Sequence, residues 1–273
     1  MEEYRKNKEV NMIKRVLTSI IGIPLLIIIL SLGGTPLLIS LIIVASLGLY
    51  ELYKTYQFVD NGYIIIEIII GIGLLIIMAK YQDWILPYLI IIFIFHFIYQ
   101  ILSKNSTFEK ALLGYNGIIY IVLLLGHILL FNNIKNGSYL VWLVFIIAWS
   151  TDTFAYFIGI KFGKHKLIPA ISPKKSIEGS IGGVIGSLLS CTLYGAYLYK
   201  FHNIYIPLYN YIILGIVSSI LAQFGDLTAS FIKRNYNVKD FGNIFPGHGG
   251  ILDRFDSILF TAPIVYYYIV IFT

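Results

Sequence analysis

The densest group of side chains that could do chemistry lies near the C terminus, in residues 226–256. Asp253 and Asp256 are three positions apart, so on a helix their carboxylates would share one face. Asp226 lies upstream, at the inner end of a predicted membrane span. Carboxylate oxygens are the ligands that hard divalent cations prefer. The three aspartates therefore predict a metal site, and ordinary ion pairing at a membrane edge is the alternative.

Four cationic side chains lie in the same segment and extend its chemistry. They are Lys233, Arg234, Lys239 and Arg254. Arginine and lysine side chains bind phosphate oxygens through charge-assisted hydrogen bonds. Glycines 247, 249 and 250 surround His248 and would let backbone N–H groups approach an anion, unless they form only a tight turn. The segment thus predicts a site for phosphate groups as well as for a divalent cation.

A further carboxylate, Asp152, lies inside an apolar run rather than in a loop. It is six residues from the inner end of the run, which is roughly 9 Å at 1.5 Å per residue. A short carboxylate at that depth does not reach bulk water, so we expect Asp152 to face a water-filled cavity. A helix–helix hydrogen bond is the alternative.

The elements that must position these residues are membrane-spanning helices. The 273 residues are 58% hydrophobic and 12% charged, with a mean hydropathy of +0.82, a composition far from that of soluble proteins. Apolar runs long enough to cross a bilayer predict nine spans. These are about 16–32, 35–53, 63–79, 84–102, 114–131, 138–158, 179–199, 206–226 and 257–272. We therefore expect an all-α, polytopic transmembrane bundle, and the single cysteine excludes a disulfide-stapled secreted fold.

The distribution of Lys and Arg residues predicts the orientation of this bundle. Lys80, Lys135 and Lys200 fall in loops on one side, and the remaining 17 of the 20 fall on the other. Because short loops rich in Lys and Arg stay in the cytoplasm, we expect the N terminus inside and the C terminus outside. The net charge of +6 accordingly suggests orientation, anionic lipid or an anionic substrate before nucleic acid.

This layout divides the chain into two predicted regions. Residues 1–130 form an N-terminal membrane region of about five spans, and residues 131–273 form a catalytic membrane region of about four. The catalytic region contains two long cytoplasmic loops, 159–178 and 227–256, so we expect the active site on the cytoplasmic side. The sequence shows no internal repeat and no inverted pair of broken spans, which removes the main sequence indication of a secondary transporter.

The polar residues that begin at Ser230 and end at Asp256 form one extended motif. It reads S-x-x-K-R, four residues, K-D, then P-x-H-G-G-x-x-D-R-x-D. Every fixed position stands at its expected spacing, and the segment resembles the signature of the phosphatidate cytidylyltransferases, the CDP-diacylglycerol synthases. A chance match at this many polar positions is negligible. The motif is therefore far more specific than a lone glycine-rich loop.

A second stretch resembles the same family. Asp152 opens the block D-T-x-A-Y, and Ser172 opens the block S-P-K-K-S-I-E-G. Family members often carry Trp where this chain has Ile177, whereas the neighbouring lysines and glutamate match. The motifs cover residues from about 145 to 260, and the N-terminal half resembles the family only in being apolar and multi-span.

The resemblance implies a reaction and its cofactors. Family members convert CTP and phosphatidic acid to CDP-diacylglycerol and pyrophosphate, which brings two polyanions together and requires cations to cancel their repulsion. The resemblance implies a two-cation site with Mg²⁺ as one ion and K⁺ as a candidate for the second. Asp226, Asp253 and Asp256 are the expected ligands. No general base is required, because the phosphate of phosphatidic acid is already ionised near neutral pH.

The remaining matched residues divide by expected partner. Catalytic roles fall, besides the three aspartates, to Lys233, Arg234, Lys239 and Arg254. Substrate-binding roles fall to Asp152, Ser172, Lys174, Lys175, Glu178, His248 and Gly249. Mobile ammonium groups in the loop 159–178 suit a soluble triphosphate. Lys233 and Arg234 are expected nearest the lipid phosphate.

Two alternative functions remain open. A CTP-dependent enzyme for another lipid phosphate would carry the same loops, because these specify nucleotide and phosphate handling but not the lipid tails. A cation transporter belongs to a different class and should hold its carboxylates near the bilayer midplane, away from Lys and Arg.

The expected partners are CTP, phosphatidic acid and the lipids of a bacterial inner membrane, and nucleic acid is not expected.

A stripe of small residues on the seventh predicted span predicts close helix packing. The stripe consists of Gly179, Gly182, Gly183 and Gly186. Small residues at this spacing predict close helix packing, either within the fold or across a homodimer.

Overall fold

The computed structural model describes residue 20 and residues 22–57, 60–104, 107–244 and 249–273. The chain divides into two compact units. The first unit comprises Met1–Leu129 and Tyr236–Arg254, and the second comprises Leu130–Asn235 and Phe255–Thr273. Long apolar helices dominate both.

Five helices in succession build most of the first unit. They are α1 (Gly22–Leu32), α2 (Gly34–Thr55), α3 (Asn61–Lys80), α4 (Ile85–Leu102) and α5 (Phe108–Gly117). A 3₁₀ turn, Gln82–Trp84, precedes α4, and a π-helical stretch, Ile118–Leu123, joins α5 to α6 (Leu124–Leu130). The Asp60 carboxylate accepts the N–H of Tyr63, which caps the N terminus of α3 and fixes where that helix begins.

The second unit combines helices with one small hairpin. A 3₁₀ turn, Phe131–Asn133, leads to α7 (Gly137–Leu140) and α8 (Trp142–Phe162). Strands β1 (Lys166–Ile168) and β2 (Ser172–Ser176) pair antiparallel, with Lys166 opposite Ser176. The long helices α9 (Ile177–His202) and α10 (Leu208–Asn235) follow, and the last helix is α11 (Leu252–Phe272).

Eight helices among the described residues are long and apolar enough to cross a membrane. Seven are α2, α3, α4 with its 3₁₀ turn, α8 with α7, α9, α10 and α11, and the eighth runs continuously over Phe108–Asn133. The first predicted span, 16–32, begins outside the described residues, and its described part is the shorter apolar helix α1. The helical, multi-pass architecture is confirmed, while the count of nine and the orientation stay predictions.

The structure corrects both predicted loops. The segment 159–178 is largely ordered as the end of α8, the hairpin and the start of α9, so the fold is not purely α-helical. In the segment 227–256, α10 continues to Asn235 and α11 already begins at Leu252, which leaves only 236–251 outside helices. Hydropathy locates the apolar part of a helix, but backbone hydrogen bonding continues into polar residues beyond it.

The glycine stripe of α9 packs against α8 within the second unit. A Cβ added at Gly183 would lie 2.9 Å from the carbonyl oxygen of Thr151, and one added at Gly179 would lie 2.7 Å from that of Ala155. Only residues without a side chain let the two backbones approach so closely. The close packing predicted from this stripe therefore occurs inside the fold.

A buried polar group lies in the core of the first unit. The Nε2 atom of His96 lies 2.9 Å from Oε1 of Glu67, and both side chains are completely buried. The Tyr53 hydroxyl donates to the carbonyl oxygen of Gly114 at 2.7 Å and also lies 3.4 Å from Glu67 Oε2. These contacts satisfy the hydrogen-bonding capacity of the buried polar atoms in an otherwise apolar core.

Candidate active site

A cavity of about 530 Å³ in the second unit brings several predicted site residues together. Its walls come from α8, the hairpin, α9 and α10. The charged side chains of its lining are Asp152, Lys166, Lys174, Lys175 and Asp226. Lysines and carboxylates around one cavity suit a ligand that carries several negative charges together with a cation. The expectation that Asp152 faces a cavity agrees with this arrangement.

Lys175 and Asp226 form an ion pair across the cavity, between Nζ and Oδ2. Each side chain is 27% exposed, so water screens the pair. Such pairs contribute about 1 kcal/mol or less, because screening and side-chain entropy offset the Coulomb attraction. A polyanionic ligand could therefore displace Asp226 from Lys175 at little cost, which would release the carboxylate for another partner.

Two further carboxylates of the second unit lie near Asp226. Asp256 interacts electrostatically with both Asp226 and Asp152. The Ser257 hydroxyl donates to Asp152 Oδ2 at 3.1 Å, and the Ser257 N–H donates to Asp256 Oδ1 at 2.8 Å. Ser257 thus holds two of the three carboxylates, and Lys233, which is only 9% exposed, supplies an attractive charge to Asp256. Like charges kept this close favour a bound cation.

Asp253 belongs to the first unit and has a different environment. Its Oδ2 atom accepts the N–H of Phe241 at 3.0 Å and the N–H of Gly250 at 2.9 Å. The carboxylate therefore links Phe241 to Gly250. Its predicted role as a metal ligand remains a prediction, and the structure adds this structural role to it.

The oxygen donors present suit magnesium in type. In the part of the chain that the structure describes, no three His, Cys, Asp or Glu side chains converge on one point as a metal cage would require. Magnesium, however, commonly takes one or two carboxylates and completes its shell with water and substrate phosphates. Asp226 and Asp256 therefore fit an ion that arrives with a nucleotide better than one held by protein alone.

Two of the predicted substrate-binding residues, one in the hairpin and one at the start of α9, have structural roles. Glu178 accepts the N–H of Lys164 at 3.1 Å and lies 2.6 Å from Nδ1 of His165, so its carboxylate holds the turn before β1. Ser172 begins β2 opposite Ile168. Between them, Lys174 and Lys175 are carried into the cavity by β2. Glu178 thus holds the turn that leads into β1, the strand that pairs with β2.

The other predicted site residues lie on exposed ends of helices and in the segment between them. Arg234 is exposed in the last turn of α10, Lys239 is exposed beyond it, and Arg254 is exposed in the first turn of α11. Gly249 has a φ of +86°, a conformation that favours glycine. His248 lies outside the described residues.

Three residues of these sites were not singled out from the sequence. Gln223 lines the cavity and donates from Nε2 to the Ser180 carbonyl oxygen at 3.3 Å. Ser257 directly follows Asp256, the last position of the motif. This adjacency is the only feature of the sequence that points to Ser257 as a site residue. Glu51 accepts two backbone N–H groups at the start of α11. Its signal was a carboxylate inside an otherwise apolar span.

The chain is similar to known proteins over nearly its whole length. The model of the cytidylyltransferase family matches residues 13–272. A phosphatidate cytidylyltransferase of Staphylococcus saprophyticus is 37% identical over 259 residues, which cover 92% of this chain and 96% of that protein. One of Bacillus subtilis is 32% identical over 275 residues, covering 97% of this chain and 100% of the relative. The resemblance inferred from the motifs is confirmed, and the chain belongs to the cytidylyltransferase family.

Proposed function

We propose that the chain is a phosphatidate cytidylyltransferase, which converts CTP and phosphatidate to CDP-diacylglycerol and pyrophosphate. The carrying observation is the 530 Å³ cavity, in which Lys174 and Lys175 face Asp152 and Asp226. The similarity along the whole chain to proteins of that name supports the choice of substrates.

In the proposed reaction, a phosphate oxygen of phosphatidate forms a bond to the α-phosphorus of CTP. The bond from that phosphorus to the oxygen bridging to the β-phosphate breaks, and pyrophosphate leaves with the electron pair. Both reactants are anions, so the barrier depends on positive groups placed around the transferring phosphorus. Lys175 and Lys174 supply such charge from β2, and Lys233 supplies it from α10.

A divalent cation completes the proposed site. Asp226 and Asp256 would hold it, and when bound it would polarise phosphate oxygens and stabilise charge on the leaving pyrophosphate. Magnesium is the proposed ion and K⁺ the candidate for a second one. Ser257 and Lys233 keep Asp152 and Asp256 in place beside this position.

The protein is a multi-pass membrane protein, and we further propose a bacterial inner membrane with the active site on the cytoplasmic side. The N terminus would lie inside and the C terminus outside, as the distribution of Lys and Arg favours. Membrane lipids surround it, and nucleic acid is not an expected partner. A homodimer would need another surface than the glycine stripe, because α8 covers that stripe.

Turnover by the purified protein tests the proposal directly. Radiolabelled CTP is offered with magnesium and a panel of lipid phosphates in detergent micelles, and label is followed into the lipid fraction. We expect incorporation with phosphatidate and release of pyrophosphate in equal amount. Incorporation only with a polyprenyl or ether lipid phosphate would instead support the related CTP-dependent enzyme. Absence of incorporation with every lipid would overturn the proposal.

A further inference from the structure

We propose that Glu51 is a positioning residue, which holds the start of α11 at Ile251 and Leu252 in the position that the cytidylyl transfer needs. This inference rests on the proposed function. Glu51 lies in α2, in the N-terminal half of the chain that carries none of the family motifs. It nevertheless contacts the motif segment within the first unit, and the contacts are specific to a glutamate.

The two carboxylate oxygens of Glu51 each accept one backbone N–H. Oε1 accepts the N–H of Ile251 and Oε2 accepts the N–H of Leu252, both at 3.0 Å. These donors belong to the start of α11, where backbone N–H groups have no partner inside the helix. Glu51 is only 2% exposed, so bulk solvent hardly reaches it. A buried carboxylate with two such donors is held in one place.

The space around Glu51 is closed by two glycines of the motif segment. A Cβ added at Gly250 or at Gly242 would overlap the Glu51 carboxylate. The lack of a side chain at these two positions therefore lets their backbone approach the carboxylate closely. Asp253 completes the arrangement, because its Oδ2 atom joins Phe241 to Gly250. Two carboxylates therefore bind backbone N–H groups here, and Glu51 is the one contributed by a distant part of the sequence.

The arrangement also forms the wall of a second cavity. This cavity, of about 470 Å³, lies in the first unit and is lined by Glu51 and Lys54 of α2 together with Asp240, Phe241 and Gly242. Asp240 belongs to the K-D element of the family motif. A change at Glu51 would therefore alter the wall of a cavity that the K-D element of the motif also lines.

The test separates positioning from catalysis by measuring the segment itself. A spin label is placed at exposed Asn243 by Asn243→Cys in a Cys191→Ala background, since Cys191 is the only native cysteine. We expect Glu51→Gln, which replaces one acceptor oxygen by an N–H₂ donor, to make the label distinctly more mobile. A label at exposed Lys135, by Lys135→Cys, should give the same spectrum with and without Glu51→Gln.

Kinetics and a matched variant complete the experiment. We expect Glu51→Gln to lower kcat by about tenfold or more, the scale of one lost charge-assisted hydrogen bond, with KM for CTP within about twofold. Glu67→Gln alters another buried glutamate of the first unit and should leave the Asn243 label unchanged. An unchanged label and an unchanged kcat in Glu51→Gln would overturn the inference. The spin label measures the mobility of the segment and does not depend on enzyme activity. An inactive parent protein would therefore contradict the proposed function and not the role of Glu51.

Discussion

Asp226 lies between an attractive and a repulsive charge, and under the proposed function this placement suits a metal ligand. It pairs with Lys175 across the cavity and also lies near Asp256. When a nucleotide draws Lys175 away, the two carboxylates are left with like charges that a divalent cation can offset. Under the proposed function, the site would therefore be completed by its substrate, because magnesium commonly takes part of its shell from substrate phosphates.

Removing the charge of either carboxylate tests this arrangement. Asp226→Asn and Asp256→Asn keep the side-chain size but weaken metal binding and charge stabilisation. We expect the magnesium-supported rate to fall by at least about a hundredfold in each, the scale of several kcal/mol of transition-state stabilisation. The initial rate of CDP-diacylglycerol formation is measured at saturating substrates and magnesium.

The matched control for these variants is Asp83→Asn, an exposed aspartate in the 3₁₀ turn before α4. It should turn over like the parent. If both Asp226→Asn and Asp256→Asn stay within a few fold of the parent, these carboxylates are not the metal ligands.

The basic residues are expected to divide between the two substrates. Lys175 lines the cavity from β2, whereas Arg234 is exposed in the last turn of α10. Lys175→Ala should raise KM for CTP more than KM for phosphatidate, and Arg234→Ala should do the reverse. Each shift should be about tenfold or more, because a charge-assisted hydrogen bond contributes about 1.5–3 kcal/mol. Initial rates over a matrix of both substrate concentrations give the two constants.

The opposite pattern would contradict this division. If Lys175→Ala leaves KM for CTP unchanged and raises KM for phosphatidate, the nucleotide binds nearer the Asp-rich segment. Lys200→Ala, on an exposed lysine at the far end of α9, is the control and should change neither constant.

At the scale of elements, hydropathy predicted which segments form long helices but not where the helices end. The apolar run of α10 stops near Asp226, yet the helix continues to Asn235 and carries Lys233 into a buried position. The hairpin was missed for a related reason, since a strand of three residues gives no alternating pattern. Glu178 could be assigned to the site by its motif, but its bond to His165 depends on a turn that the motif does not encode.

Close packing of α9 on α8 should depend on the absence of side chains along one face of α9. Gly183→Val would place a branched side chain against the carbonyl oxygen of Thr151, and backbone atoms cannot move aside as a flexible side chain can. We expect the free energy of unfolding to fall by about 1–3 kcal/mol, the usual cost of overpacking. The measurement is the midpoint of thermal unfolding in detergent.

A matched substitution on the same helix separates packing from helix propensity. Ala196 is exposed on α9, so Ala196→Val introduces a valine at a surface position of the same helix and should shift the midpoint little. Light scattering of the purified variants adds a second measurement. A change of oligomeric state in Gly183→Val, without loss of stability, would show that the glycines serve a dimer contact rather than the fold.

At the scale of the whole molecule, one continuous motif is divided between two compact units. Asp253 and Arg254 belong to the first unit, whereas Asp256 belongs to the second, because α11 begins in one and continues in the other. A sequence motif shows which residues occur together along the chain but not which unit each one joins. Predicting that Asp152 would be held by Ser257 required a contact over 105 positions, which no local pattern encodes.

The topology of the whole chain depends on whether the number of crossings is even or odd. The eight long helices of the described residues would place both termini on one side, and a ninth crossing at 16–32 would place them on opposite sides. Since 17 of the 20 Lys and Arg residues fall on one side in the nine-span arrangement, we expect the N terminus inside and the C terminus outside.

Reporter fusions test this arrangement. Alkaline phosphatase is active only outside the cytoplasm, and green fluorescent protein fluoresces only inside it. Fusions after Lys135 and after Thr273 should therefore show phosphatase activity, and a fusion after Lys104 should fluoresce. Fluorescence of the Thr273 fusion, with the other two fusions as expected, would contradict the arrangement and place the error after Lys135. Reversal of all three would mean either that residues 16–32 do not cross the membrane or that the whole bundle is inverted.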